Sequence, residues 1–319
     1  MYEELRLLAI AIGNRVHSSK FGLQRKQLNN QQWADALKDC CLRGIRGALT
    51  QVLNPDIAIN FITVPYHARI VGKDKGIGSN ELMVDRWSPQ PAPKTLSILA
   101  DVVDGSWNAA CGVPWSASTM LAFTDIVADP IAPEDLCLKD FKCGLIIPLI
   151  DAGMPSEAEL GFYYGVEGHP AKFRYWNSSE EDALAPTDMT AVRQTRLFLD
   201  LFTTETYESL ALSIAAVGPL IYDWADFARF YGAGMELMSL VGRPGITPGF
   251  GGYVAANQKT DNLVSTKLIL EGAGLIVTNW WNEPIDNINL LDRTYAAIAA
   301  NTPLHDNLIA HLSKTRRLP

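Results

Sequence analysis

The sequence predicts an α+β fold in which helices pack against an antiparallel-rich sheet. The chain opens with an amphipathic helix, because Leu5, Leu8, Ala9, Ile12 and Val16 share one helical stripe. Short apolar runs with strand-like composition follow through the first half. The second half instead alternates helical and strand-like segments. Helices and strands therefore occur in both halves of the chain.

The first half contains a second predicted helix and five predicted strands. The helix runs from about Trp33 to Leu53, and its inward residues are Trp33, Leu37, Cys40, Cys41, Leu49 and Leu53. The strands are predicted at Ala58–Val64, Thr95–Ala100, Ser118–Val127, Cys143–Ile150 and Leu160–Val166. These segments predict two helices packed against a sheet.

The second half is predicted to contain four helices and one strand. The helices are placed at Thr187–Phe202, at about Arg229–Val241, from Asp261 onward and around Leu304–Ser313. The strand is placed at Leu275–Thr278.

Composition and charge narrow the class of protein. Of 319 residues, 48% are hydrophobic and 19% are charged, which is enough apolar material for a sizeable core. The net charge is −8 and no long basic cluster occurs, so a broad nucleic-acid interface is not expected. No apolar run approaches the roughly 18 residues of a membrane span, and no signal peptide is recognisable. Five cysteines without metal-ligand spacing are typical of reduced thiols, so we expect a soluble cytoplasmic protein that binds no membrane.

The segment Asp101–Asn108 is the strongest functional signal in the sequence. It places two carboxylates, Asp101 and Asp104, with Gly105 and Ser106 directly after an apolar run. Carboxylates beside exposed backbone N–H groups suit a hard cation and a phosphate together. The alternative is a plain surface turn, because Asp, Gly, Ser and Asn are all common turn residues.

This segment resembles the Asp-Pro-x-Asp-Gly-Thr signature of the inositol monophosphatase superfamily, which includes fructose-1,6-bisphosphatases and 3′-phosphonucleotide phosphatases. Three later segments are similar to further motifs of that family, in the same order: Arg229–Leu237, Thr260–Trp280 and Ala300–His305. The resemblance implies a layered α/β/α/β/α sandwich with the active site between its halves.

The resemblance also implies one phosphatase domain over residues 1–319. Its N-terminal α+β half would cover about residues 1–180, and its C-terminal α/β half about residues 181–319. A homodimer and inhibition by lithium are further implications of the same resemblance.

Hydrolysis of a phosphate ester needs a nucleophilic water, a neutralised phosphate and a stabilised leaving oxygen, which two or three Mg²⁺ ions can supply. By the resemblance, the metal ligands would be Glu81, Asp101, Asp104, Asp261 and the main-chain carbonyl of Val103. Asp35 and the hydroxyl of Ser106 would activate the water. Gly105 and Ser106 would bind the phosphate, and Gly232 and Ala233 would allow close approach of the backbone to substrate.

Departures from the family pattern leave the substrate open. Val102 replaces the signature Pro, and Val254 stands where members that act on inositol phosphates often carry a Glu. The interval between Asp35 and Glu81 is longer than is usual in the family, and Asp35 could instead be an ordinary acid near a helix N-terminus. The substrate could be a sugar or cyclitol phosphate, a 3′-phosphonucleotide or a phosphorylated biosynthetic intermediate. A catalytically silent binding or regulatory member of the fold is the alternative of another class.

Overall fold

The structure is a computed structural model. It describes residues 2–20, 30–63, 82–87, 92–105, 117–149, 161–176, 178–188, 190, 195–200, 215, 217, 226–228 and 233–312. The α-helices used below are α1 (Tyr2–Lys20), α2 (Asn30–Val52), α3 (Ala233–Met238), α4 (Thr260–Gly272) and α5 (Thr302–Leu312).

The first half of the chain forms an eight-stranded sheet. Its strands are β1 (Ile57–Thr63), β2 (Met83–Trp87), β3 (Lys94–Asp104), β4 (Ser118–Thr124), β5 (Phe141–Pro148), β6 (Gly161–Val166), β7 (Lys172–Tyr175) and β8 (Glu181–Ala183). Their order is β2-β1-β3-β4-β5-β6-β7-β8. All neighbours are antiparallel except β1 and β3, which are parallel. The antiparallel-rich sheet and its five predicted strands are confirmed.

The second half forms a smaller, mixed sheet. The remaining strands are β9 (Ala185–Pro186), β10 (Arg196–Asp200), β11 (Asp226–Ala228), β12 (Val241–Gly242), β13 (Gly252–Lys259), β14 (Ile276–Asn279) and β15 (Arg293–Ala299). The five-stranded order is β11-β10-β13-β15-β14, and β9 pairs with β12 separately. Strand β10 is parallel to both neighbours, whereas β15 is antiparallel to both of its own.

The predicted helix Thr187–Phe202 is wrong over Arg196–Asp200, which forms strand β10. In this strand Leu197 and Leu199 pack on one face of the sheet and Phe198 packs on the other. A strand buried on both faces is a continuous apolar run, and such a run cannot be distinguished from a buried helix by periodicity alone. Pairing with β13, more than 50 residues away, selected the strand.

The other predicted helices are present with shifted ends. Helices α1, α2, α4 and α5 cover their predicted segments. In α2, Trp33, Leu37, Cys40, Cys41 and Leu49 are buried as predicted. Leu53 lies just beyond the last helical residue and is partly buried. The helix predicted at about Arg229–Val241 corresponds to α3, which ends at Met238. Val241 belongs instead to the short strand β12 with Gly242.

Three apolar clusters define five layers. Helices α1 and α2 cover one face of the eight-stranded sheet. Helices α3 and α4 lie between its other face and the inner face of the five-stranded sheet. Helix α5 covers the outer face of the five-stranded sheet through Leu304, Leu308 and Leu312. The layered α/β/α/β/α sandwich is therefore confirmed.

Two further findings bear on the composition-based expectations. The cysteines in the described part of the chain, Cys40, Cys41, Cys137 and Cys143, are all free thiols, and Cys143 is buried in the core. Among the described helices, none combines the length and the hydropathy that a membrane span requires.

Candidate active site

A β-bulge at the end of strand β3 turns Asp101 and Asp104 to the same face of the sheet. Strict alternation would place two residues three apart on opposite faces. In the pairing of β3 with β4, Asp101 lies opposite Met120, whereas Asp104 lies opposite Ser118. Three steps on β3 therefore match two on β4, and this extra residue restores the common orientation. Both carboxylates face the layer that contains α3 and α4.

The carboxylate of Asp104 is held by two donors from neighbouring elements. Its Oδ2 accepts the backbone N–H of Gly234 in α3 at 2.8 Å. The same oxygen lies 3.5 Å from the hydroxyl of Ser118, which donates to it from strand β4. Asp104 is only 8% exposed, so these two donors and the surrounding elements fix the position of its side chain.

The backbone conformation around Asp104 accounts for the residue types at the neighbouring positions. Gly105 has φ of 68°, a left-handed conformation that glycine adopts without steric cost, so the predicted turn is present. The carbonyl of Val102 accepts the hydroxyl of Thr119 at 2.8 Å, which fixes the bulge from the neighbouring strand. The side chains of Val102 and Val103 are buried on the α1/α2 face. Valine in place of the signature Pro thus contributes apolar packing.

Helix α4 begins on the same side of the sheet as the two carboxylates. A Cβ on Gly144 in β5 would overlap the backbone carbonyl oxygen of Ser265, and one on Gly165 in β6 would lie 2.6 Å from that of Leu268. The helix therefore crosses β6 near Leu268 and β5 near Ser265. The four residues back to Asp261 span about 6 Å. That is slightly more than the strand spacing of about 4.8 Å, so α4 begins over β4, beside the strand that carries Asp104.

Local hydrogen bonds fix both ends of α4. At its start, the Asp261 carboxylate accepts the N–H of Asn262 at 3.1 Å, and Asp261 lies in the first turn, where the helix dipole favours an anion. At its end, the N–H of Leu275 donates to the carbonyl of Leu270 and that of Gly274 to Glu271. Gly274 has φ of 91°, so the helix closes in a Schellman motif. This accounts for Gly274 in the segment Thr260–Trp280.

An ion-pair network anchors the C-terminal half of α4. The ammonium group of Lys267 lies 2.7 Å from Glu271 and 2.8 Å from Asp286. Burial disfavours the charge on Lys267, but hydrogen bonds to Asp286 and Glu271 outweigh it, so the pKa of Lys267 is raised. Burial raises the pKa of Glu271 in the same network. The network lies toward the C-terminal end of α4, away from Asp261.

The remaining predicted site residues are placed as follows. Asp35 is exposed on α2, which packs on the face of the sheet opposite to Asp104. Ala233 is the first residue of α3, the helix that donates to Asp104. Glu81, Ser106 and Gly232 lie outside the described residues.

The donors present match the oxygen ligands that Mg²⁺ prefers. Asp101 and Asp104 share a face, and Asp261 starts the adjacent helix. However, within the described ranges no three His, Cys, Asp or Glu side chains approach closely enough to hold one metal ion. A complete ligand set would therefore need residues beyond these three, as the prediction of Glu81 and the Val103 carbonyl already required.

Two residues at this site were not predicted. Gly234 donates its N–H to Asp104, and a Cβ on it would lie 2.5 Å from the Ser118 hydroxyl oxygen. Ser118 is fully buried beside Asp104. The sequence feature that could have identified Gly234 is the Gly-Ala-Gly run that also contains Gly232 and Ala233. The feature that could have identified Ser118 is its position as a polar residue at the start of a largely apolar strand.

The closing motif, Ala300–His305, has a structural role. The side chain of Asn301 accepts the N–H of Leu304 at 3.2 Å and caps α5. His305 is buried, and its Nε2 lies 2.8 Å from the hydroxyl of Thr278 in β14. The motif thus joins α5 to the five-stranded sheet. Val254 is buried on the same outer face.

No protein-family model matches the sequence, and no curated protein matches it either. Solved structures do match the fold. Inositol monophosphatase II from Staphylococcus aureus is 12% identical, with 99% of this chain and 97% of that one covered and a TM-score of 0.62. An inositol monophosphatase from Zymomonas mobilis is 14% identical, with 98% of each chain covered and a TM-score of 0.58. The extragenic suppressor protein SuhB from Bartonella henselae is 12% identical, with 98% and 97% covered and a TM-score of 0.57. The chain therefore has the fold of the inositol monophosphatase superfamily over nearly its whole length.

Proposed function

We propose that this protein is a Mg²⁺-dependent phosphomonoesterase that hydrolyses a small phosphorylated metabolite. The observation that carries the proposal is the bulge that directs Asp101 and Asp104 to one face, with Asp104 held by the N–H of Gly234. The inositol monophosphatase fold supports the same reaction class.

Each residue then has a proposed role. Bound Mg²⁺ would neutralise the phosphate and lower the pKa of a water molecule. The residues proposed to hold it are Asp101, Asp104, Asp261, Glu81 and the carbonyl of Val103. The Ser106 hydroxyl would orient the attacking water, and the Asp35 carboxylate would accept its proton. The N–H groups of Gly105 and Ser106 would bind the phosphate, and Gly232 and Ala233 would allow the substrate to approach the backbone.

The substrate class is proposed to be a sugar, cyclitol or nucleotide phosphate. The Staphylococcus aureus enzyme has been solved both with 2′AMP and with inositol monophosphate, so this fold holds both kinds of ligand in that protein. Val254 is buried against α5 and offers no carboxylate to a substrate. The face under α5 lies away from Asp104, so Val254 does not distinguish an inositol phosphate from a 3′-phosphonucleotide or a phosphorylated biosynthetic intermediate.

The test is release of inorganic phosphate with Mg²⁺ across sugar phosphates, cyclitol phosphates and 3′-phosphonucleotides, for the wild type and Asp104→Asn. The amide retains an acceptor for the N–H of Gly234 but removes the negative charge, so the fold should survive. We expect the rate to fall by at least about 100-fold, because the metal contribution is worth several kcal/mol. Asp129→Asn, at an exposed loop position, is the matched control and should keep the wild-type rate.

Selective turnover of one substrate that is lost on chelation would support the reaction class and identify the substrate. A near-normal rate in Asp104→Asn would contradict the assignment. Two secondary proposals rest on the resemblance. Lithium should inhibit at limiting Mg²⁺, and sedimentation should show a homodimer. A lithium titration that leaves the rate unchanged would count against the first proposal, and a monomer against the second.

A catalytically silent member of the fold is the second candidate. Two observations favour it: the described residues contain no group of three potential metal ligands, and Asp35 is exposed on the opposite helix layer. Calorimetric titration with Mg²⁺ and phosphate discriminates between the two. Metal binding without turnover of any substrate in the panel, or no metal binding at all, would favour the silent protein.

A further inference from the structure

Gln258 is a fully buried polar residue near the end of strand β13, three positions before Asp261. Its Nε2 donates a hydrogen bond to the hydroxyl of Tyr253 at 3.2 Å, and Tyr253 belongs to the apolar cluster between the two sheets. The side chain of Gln258 therefore points into the central layer of the sandwich. This is the layer that both carboxylates of strand β3 face.

The end of β13 brings Gln258 to the start of α4. The strand ends at Lys259 and the helix begins at Thr260, with no loop between them. Three residues of chain span at most about 11 Å, so the α-carbons of Gln258 and Asp261 lie within that distance of each other. Because α4 begins over β4, beside the strand of Asp104, the amide of Gln258 and these two carboxylates share one region of the central layer.

The carbonyl end of the Gln258 amide is unsatisfied. Although the Oε1 atom is buried, it accepts no hydrogen bond in the part of the chain that the structure describes. A buried acceptor without a donor destabilises the folded protein, and an apolar side chain of similar size would avoid that cost. An amide oxygen is also a ligand that hard cations accept. A cation bound next to Gln258 would therefore offset the cost of burying this oxygen.

The acidic residues of the site leave room for such a ligand. Within the described ranges, no three acidic, histidine or cysteine side chains form a complete metal site. An octahedral Mg²⁺ ion accepts six oxygen atoms, so a neutral oxygen can add to the carboxylates. A cation beside Asp261 also favours the observed orientation of the Gln258 amide, with the oxygen available to the cation and Nε2 directed to Tyr253.

We propose that Oε1 of Gln258 supplies a further oxygen ligand to the Mg²⁺ site at Asp261, while Tyr253 holds the amide in place. The inference rests on the proposed function, because it requires Mg²⁺ at the start of α4. It predicts opposite effects on the two states of the protein. Removing the amide should weaken Mg²⁺ binding, but it should not destabilise the metal-free protein.

The test is calorimetric titration of the full chain with Mg²⁺ alone, together with denaturant unfolding in the presence of a chelator. Gln258→Met keeps an unbranched side chain of similar length and should weaken Mg²⁺ binding by at least about 10-fold. Without metal it should be at least as stable as the wild type, because an unsatisfied acceptor is removed. Gln258→Glu keeps an oxygen at this position and adds a charge. It should bind Mg²⁺ at least as tightly as the wild type, but be less stable without metal.

Asn14→Leu is the matched control. It also removes a buried amide oxygen that has no hydrogen-bond partner among the described residues, but it does so in α1, which covers the opposite face of the eight-stranded sheet. Its affinity for Mg²⁺ should equal that of the wild type.

Three results would overturn the inference while leaving the proposed function intact. The first is wild-type Mg²⁺ affinity in Gln258→Met. The second is a loss of metal-free stability in Gln258→Met that accompanies its loss of affinity, since this would indicate a purely structural role. The third is equal weakening of Mg²⁺ binding in Asn14→Leu. A wild-type protein that binds no Mg²⁺ would instead overturn the proposed function, and this inference with it.

Discussion

The two faces of the eight-stranded sheet share the same strands but bury different groups. The face under α1 and α2 is filled by interlocking apolar side chains such as Leu8, Ile12 and Phe162. The face under α3 and α4 carries Asp101, Asp104 and Ser118 as well as its apolar residues. Packing therefore dominates on the first face, whereas the groups able to perform chemistry lie on the second.

The helices also approach the two faces differently. Side chains from α1 and α2 separate the helices from the sheet, as expected for ordinary helix-on-sheet packing. Helix α4 instead brings its backbone against Gly144 and Gly165, where a Cβ would overlap or crowd a helix carbonyl. This close approach places the start of α4 beside the strand of Asp104. The comparison predicts that substitutions on the first face change stability alone, and that those on the second change activity too.

Leu8→Ala should produce the largest loss of stability. Leu8 is 1% exposed under the α1/α2 face, so the change leaves a cavity and should lower the free energy of unfolding by about 3 kcal/mol. Phosphate release per folded molecule should not change. Denaturant unfolding and the phosphate assay measure the two quantities. Leu7→Ala is the control, because Leu7 is 52% exposed on the same helix. A fall in rate like that of Asp104→Asn would break the distinction between the faces.

Gly144→Ala should affect both quantities. Its new Cβ would overlap the carbonyl oxygen of Ser265, so α4 must move, at a cost of about 2 kcal/mol. Because α4 carries Asp261, phosphate release should also fall. Gly47→Ala in α2 is the matched control, since its Cβ would meet only the Arg15 side chain and alanine favours the helix by up to about 1 kcal/mol. Wild-type stability and rate in Gly144→Ala would show that the close approach is unimportant.

Thr119→Val tests the link between the two faces. The Thr119 hydroxyl donates to the carbonyl of Val102 in the bulge, and the loss of this buried hydrogen bond should cost about 1 kcal/mol. If the bulge then relaxes, Asp101 and Asp104 no longer point in the same direction. We therefore expect phosphate release to be about 10-fold slower. Thr119→Ser keeps the hydroxyl and should restore the rate. Equal rates in the two variants would remove Thr119 from the positioning of the carboxylates.

The smallest expected change in stability is at His305 in α5, a layer that does not contact the eight-stranded sheet. His305 is 3% exposed, and burial lowers its pKa below the ordinary value of about 6.5. The unfolded chain therefore binds a proton more readily than the folded protein does. Stability should fall as the pH drops below about 6.5, until the folded-state pKa is passed. Unfolding at pH 7.5 and 5.5 measures this change, which His305→Gln should reduce. An unchanged pH dependence in the variant would assign the effect to other groups.

Features that depend on neighbouring residues were predicted from the sequence. The stripe of α1 and the short apolar runs of β4 to β6 each lie within a few residues, so both signals are visible without a partner. Helix ends are equally local. Gly274 ends α4 through bonds to Leu270 and Glu271, and Asn301 caps α5 through Leu304. The choice of Asp101, Asp104 and Asp261 as candidate metal ligands came from motifs of the same short range and stays a prediction.

Features that depend on distant partners emerged only in the tertiary structure. Strand β10 was mistaken for a helix because its identity depends on pairing with β13. Alternation alone would have placed Asp101 and Asp104 on opposite faces, and only the pairing with Met120 and Ser118 shows the bulge. The position of Asp261 depends on Gly144 admitting the backbone of Ser265, 121 residues later. The sequence by itself thus determined which groups are available and which residues cap α4 and α5, because those signals act within one or two turns. Tertiary contacts decided which face each carboxylate occupies, because register and close packing are settled between segments far apart in the chain.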